Sequence, residues 1–146
     1  KRTKIRHKLY DNYINIHLRT GDVFRKMHNN KYVIPLSYYD KIIKYLKKNN
    51  INNKNLLIIS GWHYNMNDKD GKQSKKKSLK YIEDIKNLFE KNGYNVTTRL
   101  NEDPDEDFII MSNSKYFVQS GGGYSRLIGK IIKYNDNTVI NEDTIK

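Results

Sequence analysis

The sequence predicts an α/β fold, a Rossmann-like three-layer sandwich with a mainly parallel sheet. Short runs of strand-forming residues alternate four times with segments whose apolar residues recur at helical spacing. The run at residues 56–59 is continuously apolar and bounded by turn residues, which is typical of a strand buried on both faces. A chain of 146 residues is long enough for one such domain, so we expect residues 1–146 to form a single unit.

The first half of the chain contains two predicted strands and one predicted helix. The first strand alternates apolar and polar residues, and the helix carries apolar residues three and four positions apart. In chain order we expect a basic peripheral tail over residues 1–12, a strand over 13–19, a loop over 23–34, a helix that opens at Pro35 and ends at Asn49, and a strand over 55–61.

The second half repeats the alternation and ends in a polar segment. Ser78 is interpreted as the cap of a long helix, and residues 121–123 as the turn into the last one. In chain order we expect a polar loop over residues 62–77, a helix from Ser78 to Asn92, a strand over 94–100, a short helix after Pro104, a strand over 115–119, a helix after Gly123, and a peripheral tail over 136–146 that could hold a short strand at 138–140.

The charge balance favours a solvated basic surface over a nucleic-acid footprint. The chain has 28 Lys and Arg against 16 Asp and Glu, a net charge of +12, which by itself would indicate a polyanionic partner. Lys, Asn and Ile are abundant and Ala is absent, the pattern of an AT-rich coding sequence, and the lysines are scattered apart from Lys75–Lys77. A nucleic-acid-binding module that uses residues 69–77 stays open as the alternative.

Composition also excludes several kinds of site. Without cysteine there is no disulfide, no thiolate nucleophile and no Cys-ligated zinc. No apolar run approaches the roughly 20 residues of a membrane helix, and no signal peptide is visible, so a cytoplasmic location is favoured. The chain begins without Met, so it could be a fragment of a longer protein whose targeting signals are missing.

Two motifs follow predicted strands and should therefore lie at one edge of the sheet, where ligands of parallel sheets bind. The first is H-L-R-T-G-D at residues 17–22. Arg19 would be delivered to this edge by a rigid strand, and arginine suits bidentate contact with phosphate. Gly21 allows a tight turn, and Asp22 could orient Arg19 or cap the next segment. The alternative is a strand that simply ends in a polar turn.

The second motif is S-G-G-G-Y-S at residues 120–125. A glycine-rich turn that opens a helix exposes backbone N–H groups at the helix N-terminus, where anions bind. The spacing is neither the dinucleotide fingerprint nor a P-loop. The alternative is a turn that lets the helix pack closely on the sheet. Together, the two motifs offer a cation and a helix N-terminus, which suits the diphosphate of a nucleotide.

The two motifs, in this order, resemble the GDP-sugar-binding half of the GT-B fold fucosyltransferases, the α1,2-, α1,6- and protein O-fucosyltransferase superfamily. The matching stretches are residues 17–22 and a D-F-x-x-M-x-x-x-x-x-F-x-x-S pattern over 107–120, followed by Tyr124-Ser125. Thr20 stands where many members have a second arginine, and the glycine triplet replaces the turn of the α1,2 branch. The donor could therefore be a nucleotide sugar other than GDP-fucose.

The resemblance implies the roles of individual residues. Arg19 would grip the donor β-phosphate, Ser125 would contact the diphosphate, and Asp107, with Asp105 as the alternative, would contact the guanosine. We assign Arg19 and Asp22 to the catalytic set; the substrate-binding set implied in this way comprises His17, Gly21, Asp105, Asp107, Ser120, Gly122, Gly123, Tyr124 and Ser125.

The implied activity is inverting sugar transfer from a nucleotide diphosphate, most often GDP-fucose in that family, to a glycan or protein acceptor. Arg19 and the helix N-terminus would stabilise the leaving diphosphate. We therefore expect no metal and no cofactor beyond the donor. A further, N-terminal domain would bind the acceptor. The general base is not evident: Asp22 and His17 are nearest in sequence, and the base could also lie in the further domain. Trp62 and His63, after the second strand, could touch sugar or base. A non-catalytic domain that keeps only the fold is the remaining alternative.

Overall fold

The computed structural model describes Tyr10, residues 12–62 and residues 67–146. Within these residues, five strands form one parallel sheet with the order β3-β2-β1-β4-β5. The strands are β1 (Ile14–Arg19), β2 (Asn55–Gly61), β3 (Asn95–Leu100), β4 (Tyr116–Val118) and β5 (Thr138–Ile140). The helices are α1 (Leu36–Lys48), α2 (Lys69–Lys91), α3 (Pro104–Ser112) and α4 (Gly123–Tyr134), with single 3-10 turns at Gly21–Phe24 and Lys26–His28. The predicted α/β, Rossmann-like three-layer sandwich is confirmed.

Helices cover both faces of the sheet, and β1 and β2 are therefore buried on both sides. On one face, Ile16 and Leu18 pack with the apolar stripes of α1 and α2, which include Ile42 and Phe89. On the other face, the core joins β2 and β4 to α3 and α4, and its buried members are Leu57, Ile59, Ile110, Met111, Phe117, Ile128, Ile132 and Val139. The fold therefore has three layers: α1 and α2, the sheet, and α3 and α4.

The sheet has its topological switch point between β1 and β4. From β1 the chain moves outward through β2 to β3, then returns past β1 to form β4 and β5 on the other side. Ile14 of β1 is paired with Leu56 on one flank and Tyr116 on the other. The loops after β1 and β4 therefore leave the sheet in opposite directions, and a crevice opens between them at the carboxyl ends of the strands.

The helix α2 corrects the prediction for residues 62–77. It begins at Lys69 rather than near Ser78, so most of the predicted polar loop is helical. Asp68 caps it, since its side chain accepts a hydrogen bond from the Gly71 N–H at 3.2 Å. The buried side of this added part carries Gly71 and Ser74 instead of apolar residues. Residues 63–66, which include His63, lie outside the described part of the chain, as do residues 1–9 and 11.

Two further segments differ from their predictions. Residues 138–140 form β5, the short strand that this segment could hold; because Val139 and Ile140 are buried, this part of the chain completes the sheet and is not a peripheral tail. The loop predicted over residues 23–34 includes the end of the first 3-10 turn and the whole of the second. Of the described helices, none is both long enough and apolar enough to cross a membrane.

Candidate functional site

A cleft of about 300 Å³ lies at the switch point, between the loops that follow β1 and β4. We call it the switch-point cleft. Its lining consists of the end of β1 and its turn, the end of β2, and the start of α4: His17, Leu18, Arg19, Thr20, Asp22, Gly61, Trp62, Gly121, Gly122, Gly123 and Tyr124. The two motifs found in the sequence thus face each other across one cleft, although about 100 residues separate them along the chain.

Arg19 presents its guanidinium to this cleft. Its Cζ lies 5.1 Å from the ring centroid of Tyr32, a cation–π contact that supports the side chain. A Cβ placed on Gly122 would lie 3.5 Å from Arg19 Nη1, so the guanidinium rests against the backbone of the glycine turn. Among the described residues, no acidic side chain forms an ion pair with Arg19. The charge of Arg19 is therefore available to a ligand.

Asp22 does not orient Arg19 by an ion pair. It is the second residue of the 3-10 turn that follows β1, and its backbone carbonyl accepts a hydrogen bond from the Arg25 N–H at 3.0 Å. The other predicted role, as a cap of the next segment, is wrong: Asp22 lies inside the turn, the N-cap residue is Thr20, and no described side chain caps the turn. Thr20 is buried, and its hydroxyl lies 2.7 Å from that of Ser60 on β2. Where many fucosyltransferases have a second arginine, this chain thus has a side chain that bonds to the neighbouring strand.

The start of α4 opens onto the same cleft. Gly122 is the N-cap residue, with a φ of +98° that non-glycine residues rarely adopt. The first intrahelical bond runs from the Arg126 N–H to the Gly122 carbonyl at 3.2 Å. The N–H groups of the first turn precede this bond and have no acceptor within the helix. Since Gly122 has no side chain to cap them, they add partial positive charge to the cleft beside Arg19.

The two serines of the glycine turn hold it in place. The Ser120 N–H donates a hydrogen bond to Ser125 Oγ at 2.9 Å, which closes the turn on itself. Ser125 is fully buried, and Ser120 is nearly so. The Ser125 hydroxyl is therefore engaged inside the turn, although its N–H belongs to the open first turn of α4. The predicted contact of Ser125 with a diphosphate would have to be made by this backbone group.

His17 joins β1 to the glycine turn. Its Nδ1 lies 3.0 Å from Ser120 Oγ, and its ring packs edge-on against Tyr124 with centroids 5.2 Å apart. Burial, followed by the charge of Arg19, lowers the pKa of His17 from 6.5 to about 4. The ring is therefore neutral at pH 7 and can act in the cleft as a hydrogen-bonding group rather than as a cation.

A second cleft of about 360 Å³ adjoins the first and shares His17, Gly61 and Tyr124 with it. The Tyr124 side chain separates the two clefts. Its ring packs against that of Phe108 of α3, with centroids 6.1 Å apart, and its hydroxyl donates a hydrogen bond to the Pro104 carbonyl at 3.4 Å. Partial burial, followed by the nearby carboxylates of α3, raises the pKa of Tyr124 to about 12. The phenol thus stays protonated and remains a hydrogen-bond donor.

Asp107 lines the second cleft, but Arg99 binds its carboxylate. Arg99 Nε of β3 lies 2.7 Å from Asp107 Oδ1, and the two side chains are 8% and 7% exposed. Arg99 Nη2 also lies 3.4 Å from Glu106 Oε2. Asp105 is exposed in the first turn of α3, where its N–H donates to the Asp103 side chain. Contact of Asp107 or Asp105 with a guanosine stays a prediction, and the interaction of Asp107 with Arg99 was not anticipated.

The sequence motifs located most of the cleft but missed some of its supports. Tyr32, which lies under Arg19, gave no signal beyond its aromatic character. Gly21 is buried with a φ of +78°, as a tight turn requires, and its backbone is bound by Ser78 and by Ser74, of which Ser74 lies in the part of α2 that was predicted as loop. Among the described residues, no group of three His, Asp or Glu side chains is arranged to hold a metal ion.

No protein-family model matches this chain, and no curated protein matches it significantly. Among solved structures it is similar to that of the Candida albicans trehalose-6-phosphate phosphatase N-terminal domain, with a TM-score of 0.50 and 14% sequence identity. The similarity covers 94% of this chain and 29% of that one, so this chain spans less than a third of the structure it matches. At this identity the similarity shows the α/β fold alone.

Proposed function

We propose that the switch-point cleft binds the diphosphate of a nucleotide sugar. The observation that carries this proposal is the guanidinium of Arg19 resting against the N-terminal turn of α4, at the switch point of the sheet. An arginine and several aligned N–H groups together suit two linked phosphates better than one. The resemblance of residues 17–22 and 107–125 to GDP-fucose-binding domains makes GDP-fucose the first donor to test.

In the whole protein, the reaction we propose is inverting transfer of the sugar to a glycan or protein acceptor. An acceptor hydroxyl forms a bond to C1 of the sugar while the bond from C1 to the diphosphate oxygen breaks. Negative charge then grows on the leaving diphosphate, and Arg19 with the amides of α4 stabilises it more strongly than in the ground state. The hydroxyl proton passes to a base that we leave unassigned, and a further domain would hold the acceptor.

The neutral state of His17 agrees with a binding role. Its Nδ1 is already bonded to Ser120, and its low pKa makes it a weak base at pH 7. Asp22 lines the same cleft, and its carboxylate is a candidate base within this chain. We propose that His17 orients the donor and that Tyr124 packs beside the nucleoside.

The experiment that tests the proposed function is a nucleotide screen of the purified chain by thermal shift, followed by calorimetric titration. GDP, UDP, CMP and inorganic pyrophosphate are compared at equal concentration. A ligand that binds only the folded protein raises its melting temperature. We expect GDP to give the largest shift, UDP and pyrophosphate smaller ones, and CMP the smallest. Equal shifts with every diphosphate would support the diphosphate site and reject base selection; no shift with any of them would reject the proposal.

A nucleic-acid interface is the second candidate, since residues 69–77 prove to be helical. The first half of α2 exposes Lys72, Lys75 and Lys76 to solvent, on the side away from the sheet. Binding of RNA or DNA through these side chains would weaken steeply with added salt. If oligonucleotides bind in this manner and no nucleotide diphosphate does, this second function replaces the first.

A further inference from the structure

Two buried serines of α2 bind both backbone groups of Gly21. The Gly21 N–H donates a hydrogen bond to Ser78 Oγ at 2.9 Å, and the Gly21 carbonyl accepts one from the Ser74 hydroxyl. The Ser78 hydroxyl in turn donates to the Ser74 carbonyl at 2.8 Å. Gly21 is buried and lies just beyond the end of β1, where the sheet offers it no partners. Every polar group of this cluster, which we call the serine clamp, is thus paired.

The position of these serines on α2 calls for an explanation. Gly71, Ser74 and Ser78 lie on the inner side of the helix, in the stripe that continues as Ile82 and Ile85. Apolar residues are the usual occupants of such a stripe. A buried hydroxyl is unfavourable unless it is hydrogen-bonded, and serine inside a helix lowers helix stability. The clamp on Gly21 accounts for both serines.

Other contacts fix the same turn to α2. The Arg25 guanidinium forms an ion pair with Asp68 at 3.1 Å, and the Lys26 N–H donates to Asp70 Oδ1 at 3.3 Å. The Phe24 ring packs against Tyr81 with centroids 5.4 Å apart. Helix α2 and its N-cap residue Asp68 therefore support the chain from Gly21 to Lys26.

We infer that Ser74 and Ser78 are positioning residues, which fix the turn at Gly21 and thereby aim Arg19 at the first turn of α4. The inference rests on the proposed function for the ligand, because Arg19 is the phosphate contact. Because it has no side chain, Gly21 could adopt many backbone conformations. The two hydrogen bonds select the one with φ at +78°. A rotation of the Thr20–Gly21 peptide unit would move Thr20 and the end of β1 that carries Arg19, and a rotation of the Gly21–Asp22 unit would move Asp22.

The test compares Ser74→Ala, Ser78→Ala and Ser78→Thr with the control Ser114→Ala. Ser114 is equally buried and hydrogen-bonded, to Asn15, but lies just before β4, at the opposite end of the sheet from the cleft. Affinities for GDP and pyrophosphate are measured by calorimetry at a temperature where every variant is folded. Arg19 Nε–H and the Asp22 amide are followed by NMR in the ligand-free proteins, which makes the positioning effect visible without any nucleotide.

We expect either alanine variant to bind both ligands about tenfold more weakly or worse, since an unpaired buried donor or acceptor is costly and drives rearrangement. Ser78→Thr keeps the hydroxyl oxygen and should retain most of the affinity of the parent. Ser114→Ala should bind like the parent, even if its melting temperature falls as far as that of the Ser74 and Ser78 alanine variants. The Arg19 and Asp22 signals should shift in the alanine variants and not in the control.

The outcomes separate this inference from the proposed function. If the parent binds neither ligand, the proposed function fails, and the ligand-free NMR signals alone decide whether the clamp positions Arg19. If the parent binds GDP and the alanine variants bind it equally well, the positioning role is wrong. Unchanged Arg19 and Asp22 signals in Ser74→Ala and Ser78→Ala would overturn it whether or not a nucleotide binds.

Discussion

Arg19 and Gly122 lie side by side at the switch point: a Cβ added to Gly122 would meet Arg19 Nη1 at 3.5 Å, an ordinary van der Waals distance. Arg19 ends β1, and Gly122 caps α4 after β4. The contact therefore joins the two strands between which a parallel sheet of this order opens its crevice. It sets a fixed cation beside the amides of the first turn of α4, which have no acceptor within the helix.

Gly122→Ala should weaken nucleotide binding more than it weakens the fold. The φ of +98° is unfavourable for alanine, at a cost of about 1–3 kcal/mol, and relief of that strain would move the first turn of α4. Gly93→Ala is the matched control, because Gly93 has a φ of +92°, and a Cβ there meets nothing within 4 Å. Urea unfolding and GDP titration of both variants check the prediction.

We expect the two glycine variants to lose similar stability and only Gly122→Ala to lose affinity for GDP. If Gly93→Ala, at the far end of α2, lowers the affinity as much, the loss is a general effect of destabilisation and the helix start has no special role.

His17 should make the stability of the protein depend on pH. Its pKa is 6.5 in an unfolded chain and about 4 in the fold, so the unfolded chain binds the proton at higher pH. The stabilising contribution is complete above pH 6.5 and is lost as the pH falls towards 4. Over that range the free energy of unfolding should fall by up to about 3 kcal/mol through this group.

Comparison of urea unfolding at several pH values in the parent and in His17→Gln isolates this contribution from that of the carboxylates. The parent should lose more stability than the variant between pH 7 and pH 4. His28→Gln, at a histidine of the second 3-10 turn, should behave like the parent. Parallel curves for the parent and His17→Gln would mean that His17 carries the same charge in both states.

The buried pair of Arg99 and Asp107 should be costly to break. Removal of one member of a buried ion pair destabilises a protein by about 3–5 kcal/mol, and the 2.7 Å bond with little exposure on either side fits that class. Arg99→Ala, Asp107→Ala and the milder Asp107→Asn are compared by urea unfolding. The two alanine variants should lose similar stability.

The same variants test the guanosine contact implied for Asp107. If it exists, Asp107→Asn should reduce the preference for GDP over UDP. Arg99→Ala should keep that preference, even if it loses as much stability as Asp107→Asn does. An unchanged preference in Asp107→Asn would assign Asp107 to the fold alone.

The fold could be predicted because its strongest signals are local. The continuous run in β2 and the alternation in β1 were located within a residue of their observed bounds. The first half of α2 was missed because its buried side carries Gly71, Ser74 and Ser78, which produce no apolar periodicity. The Asp68 cap and the spacing of these small residues were the available signals.

The two faces of the candidate site could be predicted, but not the pairing of their side chains. Both motifs follow strands, so the rule for parallel sheets brought Arg19 and the glycine turn together. That Ser125 would turn inward, and that Asp107 would bind Arg99 of the preceding strand, depends on tertiary packing that no spacing in the sequence encodes.

The most direct test of the account is calorimetric titration of Arg19→Ala with GDP, beside Arg19→Lys and the control Arg126→Ala, an exposed arginine of α4. Arg19→Ala should stay folded, since the contact with Tyr32 is worth only about 0.5–1 kcal/mol. Loss of a charge-assisted phosphate contact should lower GDP affinity by roughly tenfold to a hundredfold. Arg19→Lys should recover part of it, and Arg126→Ala should bind like the parent. If Arg19→Ala binds GDP as tightly as the parent does, the switch-point cleft is not the diphosphate site.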